Sequence, residues 1–276
     1  MAAARAVARA FERGIGPLRL AESWDNVRMG LESPVSQKNK NKILLTIDLT
    51  TAVAEEALST PTSLIVSYHP PIFSGLKSLT LGNPLQRSLL RCAASGISVF
   101  SPHTALDSVR GGVNDTLAAS LGSHSTIDIL GEIKENDAGA GRLVTLAEPV
   151  NLATLCDRVK SYCGLKNLQV GVSPKHNSVT EGVIRTIAIC AGSGGSVLKG
   201  ARADVYLTGE MSHHEVLAAA AQGTSVILCG HSNTERPYLP TLRERLQQAL
   251  DQDTELEGEK YEVVVSVADK DPLTIL

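Results

Sequence analysis

Continuous apolar runs of strand length alternate along this chain with segments whose apolar positions recur at helical spacing. Residues 42–49 (KILLTIDL) predict a buried strand, and TTAVAEEALS after it predicts a helix. SLIVSYHP is a second strand, stopped by Pro70 and Pro71 because proline cannot extend a central strand. NPLQRSLLRCAASG reads as a helix with Asn83 as its cap, Pro84 at its first position and Gly96 at its close. ISVFSPHT is a third strand that also ends at a histidine. His69 and His103 are therefore expected at one edge of one sheet, where open α/β sheets bind ligands. VRGGVNDTLAASLG predicts a turn and a helix.

The second half repeats the alternation after a polar, glycine-rich shift at 122–141, in which GEIKENDAGAGR reads as a loop or hairpin. RLVTLAEPV predicts a strand and NLATLCDRVKSYCG a helix capped by Asn151. LQVGVS is a strand, and RTIAICAGSGGSVLKGA is a strand, a glycine turn and a helix. VYLTGE, HHEVLAAAAQG and TSVILCGHSNTE give strand, helix and a strand that ends at another histidine. RPYLPTLRERLQQALD is a long helix opened by Pro237 or Pro240, and EVVVSVAD is the last strand. Strands alternating with helices in both halves indicate α/β or α+β class with two related lobes, taken as 1–125 and 126–276.

Composition narrows the function classes. The chain has 276 residues, enough for two domains, and its net charge of −3 leaves no basic footprint for nucleic acid. Aromatic residues at 3% argue against stacking platforms for single strands. No apolar run reaches the ~20 residues of a membrane helix. Cys92, Cys156, Cys163, Cys190 and Cys229 are scattered and odd in number, as expected of indifferent thiols in a reducing compartment. The expected location is the cytoplasm, with mitochondrion and nucleus as alternatives. The mitochondrial alternative rests on MAAARAVARAFERG, whose arginines at 5, 9 and 13 resemble a transit peptide. Phe11, Ile15 and Leu18 continue its apolar pattern and favour an ordinary first helix.

Two polar clusters about 125 residues apart carry the candidate chemistry. SYHPPIF to HTALD offers His69, His103 and Asp107; GHSNTE offers His231 and Glu235. These donor types suit a borderline divalent metal. In HTALD and HSNTE a carboxylate follows a histidine four residues on, and the flanking residues favour loops over helices. The alternative for each residue is a hydrogen-bonded polar network.

AESWDN at 21–26, SYHPPIF, HTALD-SVRGGVNDTLA, GSGGS, ADVYLTGEMSHHEVLAA and GHSNTE occur in one order, and from about residue 11 to the end the chain resembles the eukaryotic branch of the Nif-three-like family. Bacterial members are described as GTP cyclohydrolase I type 2 homologs. The resemblance implies two intertwined α/β lobes with mixed sheets, a dinuclear metal site between them, and a toroidal hexamer, a ring of dimers. Carried over, the ligands are His69, Asp107, His231 and Glu235. The family's first ligand position, a histidine, is here Tyr68, a poor zinc ligand because a phenol titrates near ~10. One or two ions of zinc, manganese or iron are expected, one of them weakly held. His103 is either a ligand compensating for Tyr68 or a donor that orients Asp107.

GSGGS follows a strand and opens a helix, so Ser193, Gly194 and Gly195 either cradle a phosphate or make a tight turn. Glu210, His213 and His214 either bind substrate or shuttle protons, or mark a helix start with Ser212 and Glu215 as a capping box. Asp25 and Asn26 approach the cavity by family analogy or cap a loop; Thr104 and Asn114 read as structural. Two functions follow. One is a metal-dependent hydrolase of a nucleotide or phosphoester, with Glu235 or His103 taking the proton. The other is a non-catalytic metal-binding scaffold or adaptor for a protein partner in transcriptional regulation.

Overall fold

The structure, a computed structural model, describes residues 2–35, 40–256 and 259–274. In chain order its elements are α1 (Ala2–Ala10), β1 (Arg28–Leu31), β2 (Lys42–Thr46), α2 (Thr51–Ser59), β3 (Thr62–Ser67), α3 (Pro84–Ala94), β4 (Ser98–Ser101) and α4 (Thr104–Ser108). Then come α5 (Val113–Ala119), β5 (His124–Leu130), β6 (Gly141–Val150), α6 (Leu152–Cys163), β7 (Gln169–Gly171), β8 (Ile184–Cys190), α7 (Gly195–Leu198), β9 (Val205–Thr208), α8 (His213–Ala221) and β10 (Ser225–Leu228). The chain ends with α9 (Leu239–Asp251) and β11 (Glu262–Val265). Two compact units result. One holds residues 1–106 and 239–272, the other 107–238 and 273–276, so α9 and β11 return to the first unit.

Four helix starts follow from local chemistry. Thr50, Asn83 and Asn151 each accept a hydrogen bond from an amide of the first turn of α2, α3 and α6. Ser212 and Glu215 form the capping box that opens α8. No helix among the described residues is long and apolar enough to cross a membrane.

The first unit's sheet has the order β1-β4-β3-β2-β11. β4, β3, β2 and β11 run parallel, and β1 is antiparallel to β4. Successive side chains point to opposite faces. Leu44, Ile65 and Val99 thus meet Val53, Ala54 and Ala57 of α2 and Leu89 and Cys92 of α3. Phe100, the next residue along β4, instead lies 5.0 Å from Phe11, ring centroid to centroid. α9 buries Leu239, Leu242, Leu246 and Leu250, one stripe at helical spacing. Both faces are covered, as a parallel sheet requires.

The second unit's sheet has the order β5-β6-β8-β9-β10-β7, parallel through β8, β9 and β10 and antiparallel elsewhere. Ile187, Ile189, Leu207 and Ile227 face Leu117 of α5 and Leu155 and Val159 of α6. Ala188, Tyr206 and Val226 face Leu198 and Ala219. The largest fully buried side chain is a charged one, Arg142. It meets Asp115 in a bidentate pair at 2.6 and 2.9 Å and donates to the carbonyls of Gly139, Gly141, Ser108 and Val109. Burial alone would raise the Asp115 carboxyl, but the Arg142 hydrogen bonds and charge hold it below its ordinary 3.8.

The expected α/β class with mixed sheets flanked by helices is what the chain forms. Three local expectations change. HTALD contains α4, a one-turn helix, where a loop was expected. β1 and β5 were not anticipated: β1 is short and glycine-containing, and β5 is an edge strand exposed along its first half. Antiparallel pairing of β5 with β6 makes 131–140 the connection of a hairpin.

Two outcomes are expected in urea unfolding. Asp115→Ala strands a buried guanidinium and should cost about 3–5 kcal/mol. Because the Asp115 carboxyl is lowered by folding, its contribution is full above pH 3.8 and fades as pH falls through the folded value. His176 is 1% exposed, holds Ser225 Oγ at 2.8 Å through Nδ1, and its Nε2 has no hydrogen-bond partner among the described residues. Burial lowers its pKa below 6.5 in spite of Asp204. Wild type should therefore lose stability as pH falls below 6.5, and His176→Gln should flatten that slope.

Candidate functional site

In each unit the polar side chains of interest follow the carboxyl ends of the parallel strands. In the first unit the ladder continues past β2, β3 and β4. Tyr68 N donates to Thr46 O at 2.9 Å, His69 N to Ile47 O at 3.0 Å, and His103 N to Tyr68 O at 3.1 Å. This sets Asp48, His69 and His103 side by side. Asp48 Oδ1 lies 3.0 Å from His69 Nδ1, and Asp25 Oδ1 lies 2.8 Å from His103 Nδ1. A carboxylate on Nδ1 places that nitrogen's proton between them and leaves the neutral ring's lone pair on Nε2. The two imidazoles stand 5.1 Å apart, centroid to centroid, and buried Tyr68 lies edge-on to both.

Asp25 is the anchor of this edge. Its second oxygen accepts from the Thr104 amide at 3.1 Å and from the Thr104 hydroxyl. Burial acts to raise its pKa; the hydrogen bonds from His103 and Thr104 outweigh that and keep it ionised below 3.8. His103 itself sits at φ 31°, the left-handed region that a side chain of its size rarely adopts. Thr104 and Asp25 hold it there.

In the second unit Gly192, Glu210 and His231 follow β8, β9 and β10. Glu210 N donates to Gly192 O at 3.0 Å, and Gly230 N to Gly209 O at 2.8 Å. A run of turns from His231 then carries Glu235 back toward it: Thr234 N donates to His231 O, and Glu235 N to Ser232 O. Glu210 Oε1 lies 2.9 Å from His231 Nδ1, and Glu235 Oε1 lies 3.2 Å from His231 Nε2. Glu235 is 2% exposed.

Gly192 seals the pair from below. Its φ is +66°, and a Cβ there would lie 2.5 Å from Glu235 Oε1 and 3.0 Å from His231 Nε2. Its amide donates to Thr234 Oγ1 at 2.8 Å, and the Gly194 amide to Thr208 Oγ1 at 3.0 Å. Two amides of GSGGS are thus engaged by threonines, Ser193 is exposed, and Gly195 lies against the Glu215 carboxylate. The loop's observed work is a close approach of backbone to the His231–Glu235 pair. Buried Asn114 supports it, accepting from the Ala191 amide and donating to Ala140 O and Asp107 O.

The first unit therefore brings His69 and His103 together, and the second brings His231, Glu235 and Glu210 together. Asp107 lies half-buried in α4. His213 and His214 are exposed at the start of α8, with ring centroids 5.3 Å apart. Asp48 and Thr234 are residues that sequence reasoning missed. The available signal for Asp48 was positional: a carboxylate two residues beyond one parallel strand, as His69 is two beyond the next.

The family model Duf34/NIF3 (NGG1p interacting factor 3) matches residues 3–272. The chain belongs to the Duf34/NIF3 family. It is 47% identical to "Protein NIF3 homolog" of Schizosaccharomyces pombe over 94% of this chain and 93% of that protein. It is 33% identical to human "NIF3-like protein 1" over 94% of this chain and 89% of that one. A Bacillus cereus protein related to NIF3 shares the fold at a TM-score of 0.79 and 18% identity, covering 99% of both chains. The eukaryotic-type resemblance read from the motifs is thereby established, and so is the two-lobed α/β fold it implied.

Gly192→Ala is expected to cost about 1–3 kcal/mol, from positive φ and the approach to Glu235 together. Thermal unfolding reads it, and Gly200→Ala, whose φ is +80° but whose Cβ meets nothing within 4 Å, should cost less.

Proposed function

We propose that this Duf34/NIF3 protein binds a divalent cation through His231 and Glu235 and uses it to hydrolyse a nucleotide or another phosphoester. The observation that carries this is the His231–Glu235 pair. With Glu210 accepting at Nδ1, Nε2 turns its lone pair toward a buried carboxylate oxygen 3.2 Å away. Two facing acceptors at that separation need a proton or a cation between them. A carboxylate-oriented imidazole beside a buried carboxylate is a donor pair for zinc, manganese or iron, and in the first unit His69 has the same oriented form through Asp48. The donors fit the ion.

When bound, a divalent cation brings the pKa of water toward neutrality and polarises a phosphoryl oxygen. The chain's own residues do the rest. Asp48 and Glu210 fix the tautomers of His69 and His231. Asp107 supplies a further carboxylate. His103, held through Nδ1 by Asp25 and ring to ring with His69, exchanges a proton at Nε2. Tyr68 occupies the place where the family resemblance expects a histidine, so one firmly held ion per chain is the expected count.

Metal content per chain, measured by mass spectrometry on untagged protein, tests the first part. Wild type should hold near one ion, and Glu235→Gln should lose most of it. Glu210→Gln should weaken affinity about 10- to 100-fold, as loss of an orienting carboxylate does. Equal metal in all variants, or none in wild type after zinc, manganese and iron are added back, sinks the metal reading. Turnover on a panel of nucleotides and phosphoesters tests the second part, and Asp107→Asn should abolish it.

A further inference from the structure

Among the described residues, the first unit exposes aromatic surface beside its histidines. Trp24 is the chain's single tryptophan and is 62% exposed; Phe73 is 54% exposed. Their ring centroids lie 6.1 Å apart. The chain's other two phenylalanines, Phe11 and Phe100, are fully buried against each other. A lone exposed apolar side chain needs no explanation. Two of the largest, standing together in a chain this poor in aromatics, do.

The pair is also built rather than loose. The residue after Trp24 is Asp25, fixed by His103 and by the amide and hydroxyl of Thr104. The next is Asn26, whose side-chain amide donates to the carbonyl of Ile72, the residue before Phe73. One tripeptide thus presents the indole, anchors it to the histidine edge, and ties down the loop that carries the second ring. Trp24 lies edge-on to His103 at 6.2 Å between centroids, and His103 is ring to ring with His69. The platform is therefore one imidazole away from His69, whose Nδ1 faces Asp48.

Resting on the hydrolase reading above, we infer that Trp24 and Phe73 form a stacking platform for the planar heterocycle of a nucleotide, so that the substrate class is a nucleotide rather than a simple phosphoester. An indole offers a two-ring face of purine size, and base–aromatic stacking tolerates any base because every base has a π-face. The phosphate then extends from the platform toward His103 and His69. The specificity that results is for the presence of a base, with bicyclic bases favoured over monocyclic ones by contact area.

The single tryptophan makes the test direct. The wild-type protein is titrated with GMP, AMP, ribose 5-phosphate and inorganic phosphate, and indole emission is followed. GMP and AMP should quench saturably, while ribose 5-phosphate and phosphate should not. Phe73→Leu keeps the reporter and should weaken GMP about fivefold or more. Trp24→Leu, followed by equilibrium dialysis, should weaken it further. Both side chains are solvent-exposed, so melting temperature and metal content should stay near wild type, which separates this proposal from the metal reading. Ribose 5-phosphate binding as tightly as GMP overturns the platform, as does wild-type GMP affinity in Trp24→Leu. Altered sedimentation of these variants with unchanged GMP affinity also overturns it and assigns the pair to a protein interface.

Discussion

Parallel strand pairing is the constraint from which the rest of this molecule follows. Parallel neighbours cannot be joined by a tight turn, so each pair needs a crossover, and each crossover helix covers a face. The same pairing brings the carboxyl ends of β2, β3 and β4 to one edge, and those of β8, β9 and β10 to another. Every histidine with a carboxylate partner described above lies one to three residues beyond such an end. The chain needs no long-range targeting of these side chains; their placement is inherited from the ladder.

What the ladder leaves undecided, short polar contacts settle. A histidine beyond a strand end can turn either nitrogen outward. Asp48, Asp25 and Glu210 each remove that freedom at Nδ1. The left-handed backbone of His103 and the bare Cα of Gly192 serve the same end from the main-chain side: one turns a ring into place, the other lets backbone lie where a methyl group would collide with Glu235. The buried Arg142–Asp115 pair, with its carbonyl contacts to Ser108 and Val109, fixes the segment that begins at Asp107.

How much of this was legible in the sequence depended on range. Caps were readable because a cap and its amides lie within three residues of each other, and Asn83, Asn151 and Ser212 all stand at helix starts. The central strands were readable because burial on both faces makes them apolar throughout. β1 and β5 were not: a glycine-containing edge strand and a half-exposed one lack that pattern. The histidines were visible by type and order. Asp48 was not, because its partner lies 21 residues away across a strand pair, and nothing in IDLT distinguishes an orienting carboxylate from a turn residue. The return of α9 and β11 to the first unit was equally invisible, since it rests on pairing between residues about 220 apart.

That return sets an order of assembly on the ribosome. The bulk of the second unit is one uninterrupted stretch, so all six of its strands are synthesised before β11. The first unit begins earlier in the chain yet stays one strand and one helix short until α9 and β11 are made. β2 meanwhile keeps an open parallel edge, and α1 waits for α9. The sheet begun first is thus the sheet completed last, and its unpaired strand edge is the surface a nascent chain most needs shielded during synthesis.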